Sequence, residues 1–247
     1  MNDGFEQALI AIRKNVEAAL QLSDLDRGLI EHAITAIEER DNRLKTAGID
    51  NHRFLAGNTI AYLKNIRKND SLRPGFQALV NQTIVLLTSY FSSGISQLFR
   101  AAVVAALKGN PSDYLRDLPL KLSVGELSRL GNDLFTELPY FVAETPGISF
   151  QDTKSISRTF KDFFEVDVPR DTITNNITAG MAFRHVLVHN GGIVDRSCIK
   201  QLDTARPRNI RPVVTQGEEL NFTTDEVRAL AHAMVDYIER LACALAS

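Results

Sequence analysis

Along the N-terminal part of the chain, Phe5, Leu9, Ile12, Val16 and Leu20 recur every three or four positions, and a second stripe of Leu25, Leu29, Ala33 and Ile37 follows Ser23. That period places apolar side chains on one face of a helix, and Ser23 is a natural cap for the second one. The pattern predicts a helical hairpin ending near Gly48. A shorter segment from Phe54 to Lys68 carries Lys64, Arg67 and Lys68, after which SLRPG at 71–75 breaks the periodicity with Pro and Gly. A boundary placed there gives an N-terminal helical extension over 1–70 and a larger helical domain over 71–247.

The long apolar run from about Phe76 to Lys108 predicts a core helix, with Gly94 in its middle as a kink or a point of close packing. Ser123 and Glu126 have the spacing of a capping box and open a helix that runs into LFTELPYFV. Asp152 or Thr153 begins the next, in which Ile156, Phe160, Phe163 and Phe164 share one face while Lys154, Arg158 and Lys161 share the other. Pro169 and Asp171 open a further helix that Asn190-Gly191-Gly192 closes. Thr223 and Glu226 cap the last one, with Phe222 placed to staple onto Val227 and a stripe of Val227, Leu230, Met234, Val235, Ile238, Leu241 and Leu245. Only VVTQGEELNF at 213–222, with a central Gly, predicts a small β-hairpin. The fold class expected is all-α: a helical bundle with an N-terminal helical hairpin and one small β-hairpin excursion.

Composition narrows the function. A chain of 247 residues, 44% hydrophobic and 23% charged, has the make-up of an ordinary globular protein. A formal charge of −2 argues against coating nucleic acid by bulk electrostatics, so any such contact must come from a local basic patch. The first residues, MNDGFEQALI, lack the basic start and long apolar run of a secretory leader. The most apolar helix is interrupted by Asn81, Gln82, Ser92, Ser93, Gln97 and Arg100 and predicts no membrane span. Two widely separated cysteines, Cys198 and Cys243, suit a reduced cytoplasm and offer no thiolate metal site.

The stretch FRHVLVHNGGIVD at 183–195 carries the candidate chemistry. Winding 173–189 at about 100° per residue sets Ile173, Ile177, Met181, Leu187 and Val188 on one stripe, with Gly180 alongside and Arg184 in its middle. Phe183, Val186, Ala179 and Ala182 cover much of the rest, so the guanidinium cannot simply face water. A buried or interfacial guanidinium requires an anion, either an internal carboxylate such as Asp162 or Glu165 or the phosphate of a ligand. His185 and His189, four apart, share a face about 100 to 140° from Arg184. His189 occupies the last helical turn, where the helix dipole attracts an imidazolium and Arg184 repels one, a balance suited to proton transfer. The same Arg-to-His spacing occurs at Arg27 and His32, but there Asp24, Asp26 and Glu31 supply ion pairs and no helix end follows. His32, His52 and His232 read as helix-surface or core residues. His185 and His189 have the spacing of two metal ligands, yet the Glu of an HExxH site is missing and only Asp195 is near, so neither a metal nor another cofactor is expected.

RHVLVHNGG, an Arg followed by a polar residue, three more positions and a His at a helix end, resembles the signature of HEPN-domain proteins. The resemblance extends to the FQDTKSISRTFKDFF helix, the long apolar helix before it and the capped final helix, and covers roughly 71–247. It implies a HEPN-like bundle that forms a homodimer through the motif helix, so that two motifs meet in one cleft. It also implies a metal-independent endoribonuclease that leaves a 2′,3′-cyclic phosphate, often a toxin or antiviral-defence effector with a neutralising partner; other members only bind. Arg184 would steady the phosphate and His189 act as acid or base, with Asn190 beside it. His185 fills the position where Asn or Asp is common, and Tyr90, Ser92 or Ser93 of YFSSG stand where many relatives offer a carboxylate.

Downstream, CIKQLDTARPRNIRP places Lys200, Arg206, Arg208 and Arg211 against one Asp, between prolines that favour an extended backbone. These side chains are candidates for RNA-backbone contact, the alternative being a solvated loop. Against the nuclease reading stands a catalytically silent helical module that binds a partner protein or a nucleotide.

Overall fold

The computed structural model describes residues 3–23, 25–49, 53–68, 73–109, 111–130 and 134–246, with the side chains at 23–27, 53–55, 67–68, 73–76, 127, 129–130 and 134–135 also outside the description. Its helices are α1 (Asp3–Ser23), α2 (Leu25–Thr46), α3 (Arg53–Lys68), α4 (Arg73–Lys108), α5 (Asp113–Arg116), α6 (Val124–Leu130), α7 (Leu134–Ala143), α8 (Thr153–Phe164), α9 (Thr172–His189), α10 (Arg196–Thr204) and α11 (Thr224–Leu245). The all-α expectation holds among the described residues.

The 36-residue α4 is the axis of the bundle. Ile84, Leu87, Phe91, Ile95, Leu98 and Phe99 are all fully buried along it, because α1, α7, α8, α9 and α11 pack around it. Gly94 is a close-packing point: a Cβ there would stand 3.1 Å from a methyl of Ile238 on α11 and 3.2 Å from one of Ile12 on α1. Gly180 does the same for α9, since a Cβ would come within 2.7 Å of Leu230 on α11. Phe99 lies among the rings of Phe150, Phe160, Phe163 and Phe164, with centroids 5.1 to 5.9 Å away, which seats the apolar face of α8 on α4.

The stripe of α1 behaves as predicted. Phe5, Leu9, Ile12 and Val16 are part of the same continuous core as α4, α9 and α11. Ser71 and Leu72 of the SLRPG break, where the division was expected, lie outside the described residues. α2 and α3 pack chiefly on each other. The stripe of α2 is displaced from the predicted one: Ile34 is buried and Leu29 is 60% exposed. Gly48, with φ +74°, ends α2 where the end of the second helix was expected, and the Ile49 amide donates back to the Leu44 carbonyl at 3.0 Å.

The expected β-hairpin at 213–222 is corrected, since the described residues contain one isolated bridge, Ile193 to Glu219, and no strand. The segment finds its partners elsewhere. Val194 donates to the Glu218 carbonyl, and Gly217 and Leu220 donate to the Val194 and Gly192 carbonyls, each at 2.9 Å. Asn81 and Gln77 of α4 donate to the carbonyls of Leu220 at 3.0 Å and Phe222 at 3.1 Å. With its backbone groups satisfied by α4 and the α9–α10 turn, the segment does not pair with itself.

Candidate functional site

Two caps fix the helices that carry the site. Asp152 accepts from the Ser155 amide at 2.7 Å and starts α8; Asp171 accepts from the Thr174 amide at 3.0 Å and starts α9. Asp171 also binds Arg240 of α11 at 2.6 Å, which anchors the start of α9 to the last helix. At the other end, Asn190 caps α9 and donates to Asp195 at 2.7 Å, while Asp195 accepts from the Cys198 amide at 2.7 Å to start α10. The Cys198 amide, then the Asn190 side chain, hold the Asp195 carboxyl below the usual aspartate range. Burial pushes the Cys198 thiol up to about 11, with the neighbouring Asp195 charge adding to it, so this cysteine stays protonated.

Between α4, α8 and α9 runs a cleft of about 1360 Å³. The wall from α9 carries Thr178, Met181, Arg184 and His185; the wall from α8 carries Lys154, Arg158 and Lys161; the wall from α4 carries Thr88, Ser89, Ser92, Ser93 and Ser96. The helical winding accounts for this arrangement. α9 buries Ile177, Ala179, Gly180, Phe183 and Val186 against the bundle, which turns Arg184 away from the core and towards α8. The core therefore takes the Phe183 side of α9, and Val188, expected on the inward stripe, is 46% exposed.

Arg184 is half-buried, and no described residue pairs with it, Asp162 and Glu165 included. His185 stands beside it on the cleft wall. His189 is exposed and does not line the cleft; its ring packs against His185 with centroids 4.8 Å apart. The motif thus divides within one chain, with Arg184 and His185 facing the cleft and His189 presented at the helix end beside the exposed Val188 and Ile193. Among the α4 candidates Ser92 lines the cleft with Ser93, whereas Tyr90 packs against the core. Among the described residues no group of three His, Cys, Asp or Glu side chains is arranged to hold a metal ion.

The downstream arginines do other work. The segment expected to be extended is helical over Arg196–Thr204, and none of Lys200, Arg206, Arg208 or Arg211 lines the cleft. Arg208 is buried at 7% exposure and donates to four carbonyls: Leu202 at 2.7 Å, Ala205 at 3.1 Å, Arg211 at 3.0 Å and Pro212 at 3.2 Å. Arg211 pairs with Glu218 at 2.8 Å and Glu226 at 3.3 Å and also donates to the Asn221 carbonyl. Arg206 pairs with Asp203 at 3.0 Å, and Lys200 is exposed on α10. Two buried asparagines of α9 complete this scaffold, Asn175 donating to the Pro207 carbonyl at 3.0 Å and Asn176 accepting from the Asn209 amide at 2.9 Å.

Sequence reasoning missed the cations of α8 and Arg170 as site residues. The signal was present: the polar face opposite Phe160 is built from Lys154, Arg158 and Lys161, and hydroxyls recur on α4 at helical spacing. Among the described residues no helix is long and apolar enough to cross a membrane. No family model, curated protein or solved structure matches the chain.

Proposed function

We propose that this protein is a metal-independent endoribonuclease with a HEPN-like bundle, working as a homodimer joined through the end of α9. The observation that carries the reading is Arg184: a half-buried guanidinium with no partner among the described residues, opening with His185 onto a cleft of hydroxyls and cations. A charge held part-way out of water without a protein anion is set up to receive one from a ligand, and a phosphodiester matches its forked donors.

In this mechanism His189 of one chain removes the proton from a ribose 2′-hydroxyl, and the 2′-oxygen attacks the adjacent phosphorus. The bond from phosphorus to the 5′-oxygen breaks, and that oxygen takes a proton from His189 of the second chain. The products are a 2′,3′-cyclic phosphate and a 5′-hydroxyl. Arg184 stabilises the charge that builds on the phosphorane oxygens, and His185 lies beside it as a second donor. Two chains are needed because His189 lies outside its own cleft, and Val188 and Ile193, exposed near it in the chain, offer apolar surface that a second copy would cover. In the cell such an activity fits a cytoplasmic toxin or antiviral-defence effector restrained by a neutralising partner.

The position of His189 also favours the second reading, a silent module that holds a nucleotide or a partner protein. Incubation of the protein with a panel of RNAs in EDTA separates the two. Cleavage that persists in chelator, leaves cyclic-phosphate ends and disappears in His189→Ala supports the nuclease. Equal inertness of wild type and variant on every RNA, together with a monomeric mass in solution at micromolar concentration, rejects it.

A further inference from the structure

The cleft continues well beyond Arg184, and its composition differs from that of the whole chain. Five of the 28 lysines and arginines line it, against two of the 30 acids, in a protein with formal charge −2. One of those acids, Asp152, is already bound to the Ser155 amide. Of the five cations, Lys161 is held by Asp167 at 2.9 Å and Arg158 donates to the Gly147 carbonyl at 3.1 Å. Lys154, Arg170 and Arg184 pair with no described residue. Also on the cleft, the hydroxyls of Ser92, Ser93 and Ser96 on α4 and of Ser157 on α8 have no hydrogen-bond partner among the described residues, whereas the neighbouring Thr88 and Ser89 bond back to their own helix.

What the cleft lacks is equally informative. Single-strand sites that grip bases use aromatic platforms, but among the described cleft residues the rings are His185 and Phe150, and Phe150 is engaged with Phe99 at 5.3 Å. Base edges are read by amides and paired donors; of the three side-chain amides on the cleft, Asn175 is committed to Pro207, and Gln151 and Gln201 are exposed and far fewer than the hydroxyls and cations around them. Free cations and free hydroxyls are the groups that bind phosphate oxygens and ribose hydroxyls.

We infer that the α4 and α8 walls form a track for a single RNA strand, held through its phosphates and riboses with its bases unread, and that Lys154 and Arg170 are its phosphate-binding residues beyond the motif. This rests on the reading of the cleft as an RNA site and adds what that site discriminates: strandedness and backbone, not sequence.

The test uses full-length protein carrying His189→Ala, so that the strand survives, with fluorescein-labelled oligo-U, oligo-A and oligo-C of equal length followed by anisotropy over a range of NaCl concentrations. The three affinities are expected to agree within about threefold. Lys154→Ala and Arg170→Ala are each expected to weaken all three several-fold and to lower the salt slope by about 0.7 for each phosphate no longer neutralised. Unchanged affinity and slope in both variants, a strong preference for one base, tighter binding of a duplex, or no binding of any strand overturns the track. Binding by these rules without cleavage by wild type removes the nuclease reading and leaves the track. Cleavage that is indifferent to Lys154 and Arg170 does the reverse.

Discussion

Arg184 and Arg208 are the same residue type in neighbouring, arginine-containing stretches, and the structure treats them in opposite ways. Arg208 is buried and donates to four carbonyls at the end of α10 and in the loop beyond it. Arg184 is half-buried on a cleft wall and donates to no described residue. Local charge density favoured the Arg206–Arg211 region as the contact surface, but within it the fold gives Arg208 four carbonyls and Arg211 two carboxylates as partners. Whether a cation is available to a ligand depends on which acceptors the fold places around it, which a count of positive residues does not reveal.

The comparison is broken most severely at Arg208. Arg208→Ala strips a buried guanidinium from four carbonyls, of which Leu202 keeps the Ala205 amide as a donor, and a loss of about 3–5 kcal/mol of stability is expected. Chemical denaturation measures it. A change below about 1 kcal/mol would mean that water replaces the guanidinium and that Arg208 is little more committed to the fold than Arg184.

Arg184→Ala is expected to give the converse. With no protein partner to strand, stability changes by no more than about 0.5 kcal/mol, while RNA cleavage falls about 100- to 1000-fold, as for removal of one donor from a transition-state oxyanion. Parallel melting curves and single-turnover cleavage rates read both. A variant that melts far below wild type would show that Arg184 has a structural acceptor, and its loss of activity would then carry no mechanistic weight.

Helical periodicity made most of the bundle legible in the sequence, because caps such as Asp152, Asp171 and Thr223 and stripes such as Phe5–Val16 are local signals read within one or two turns. The missed features depend on distant partners. The segment 213–222 has the local pattern of a hairpin, but Asn81 and Gln77, far away on α4, take its carbonyls. α1 looks like an appendage until α4 and α11 close over Ile12 at Gly94. At the site, the motif itself could be read, and so could the polar face of α8. What no local pattern contained was that α9 turns its Phe183 side to the core, which sends Arg184 and His185 to the cleft and leaves His189 outside it.

That orientation of α9 depends on its contact with α11, and Gly180 sets the distance. Gly180→Ala places a Cβ within 2.7 Å of Leu230, which is fully buried and has little room to retreat. A stability loss of about 1–3 kcal/mol is expected from overpacking, with a smaller fall in cleavage as Arg184 shifts on the cleft wall. If the variant is as stable as wild type, the α9–α11 contact adapts, and the packing at Gly180 does not fix the aim of Arg184.

The smallest effect is expected at the seam between the two regions, where Asn190 at the end of α9 meets Asp195 at the start of α10. The Cys198 amide and the Asn190 side chain hold the Asp195 carboxyl below its ordinary range. A carboxyl whose value is lowered by folding contributes stability that is fully present above the unfolded aspartate's value and is lost as pH falls through the lower, folded-state value. Asp195→Asn keeps a helix cap but abolishes this titration. Wild type should therefore melt slightly higher than the variant at neutral pH, and the gap should close on acidification; salt bridges elsewhere, such as Asp171 with Arg240, titrate in both proteins and cancel. A gap that stays constant down to strongly acid pH would show that the seam is held by packing around Val194 and Cys198 rather than by the charge, and the link from the motif helix to α10 would then be insensitive to protonation.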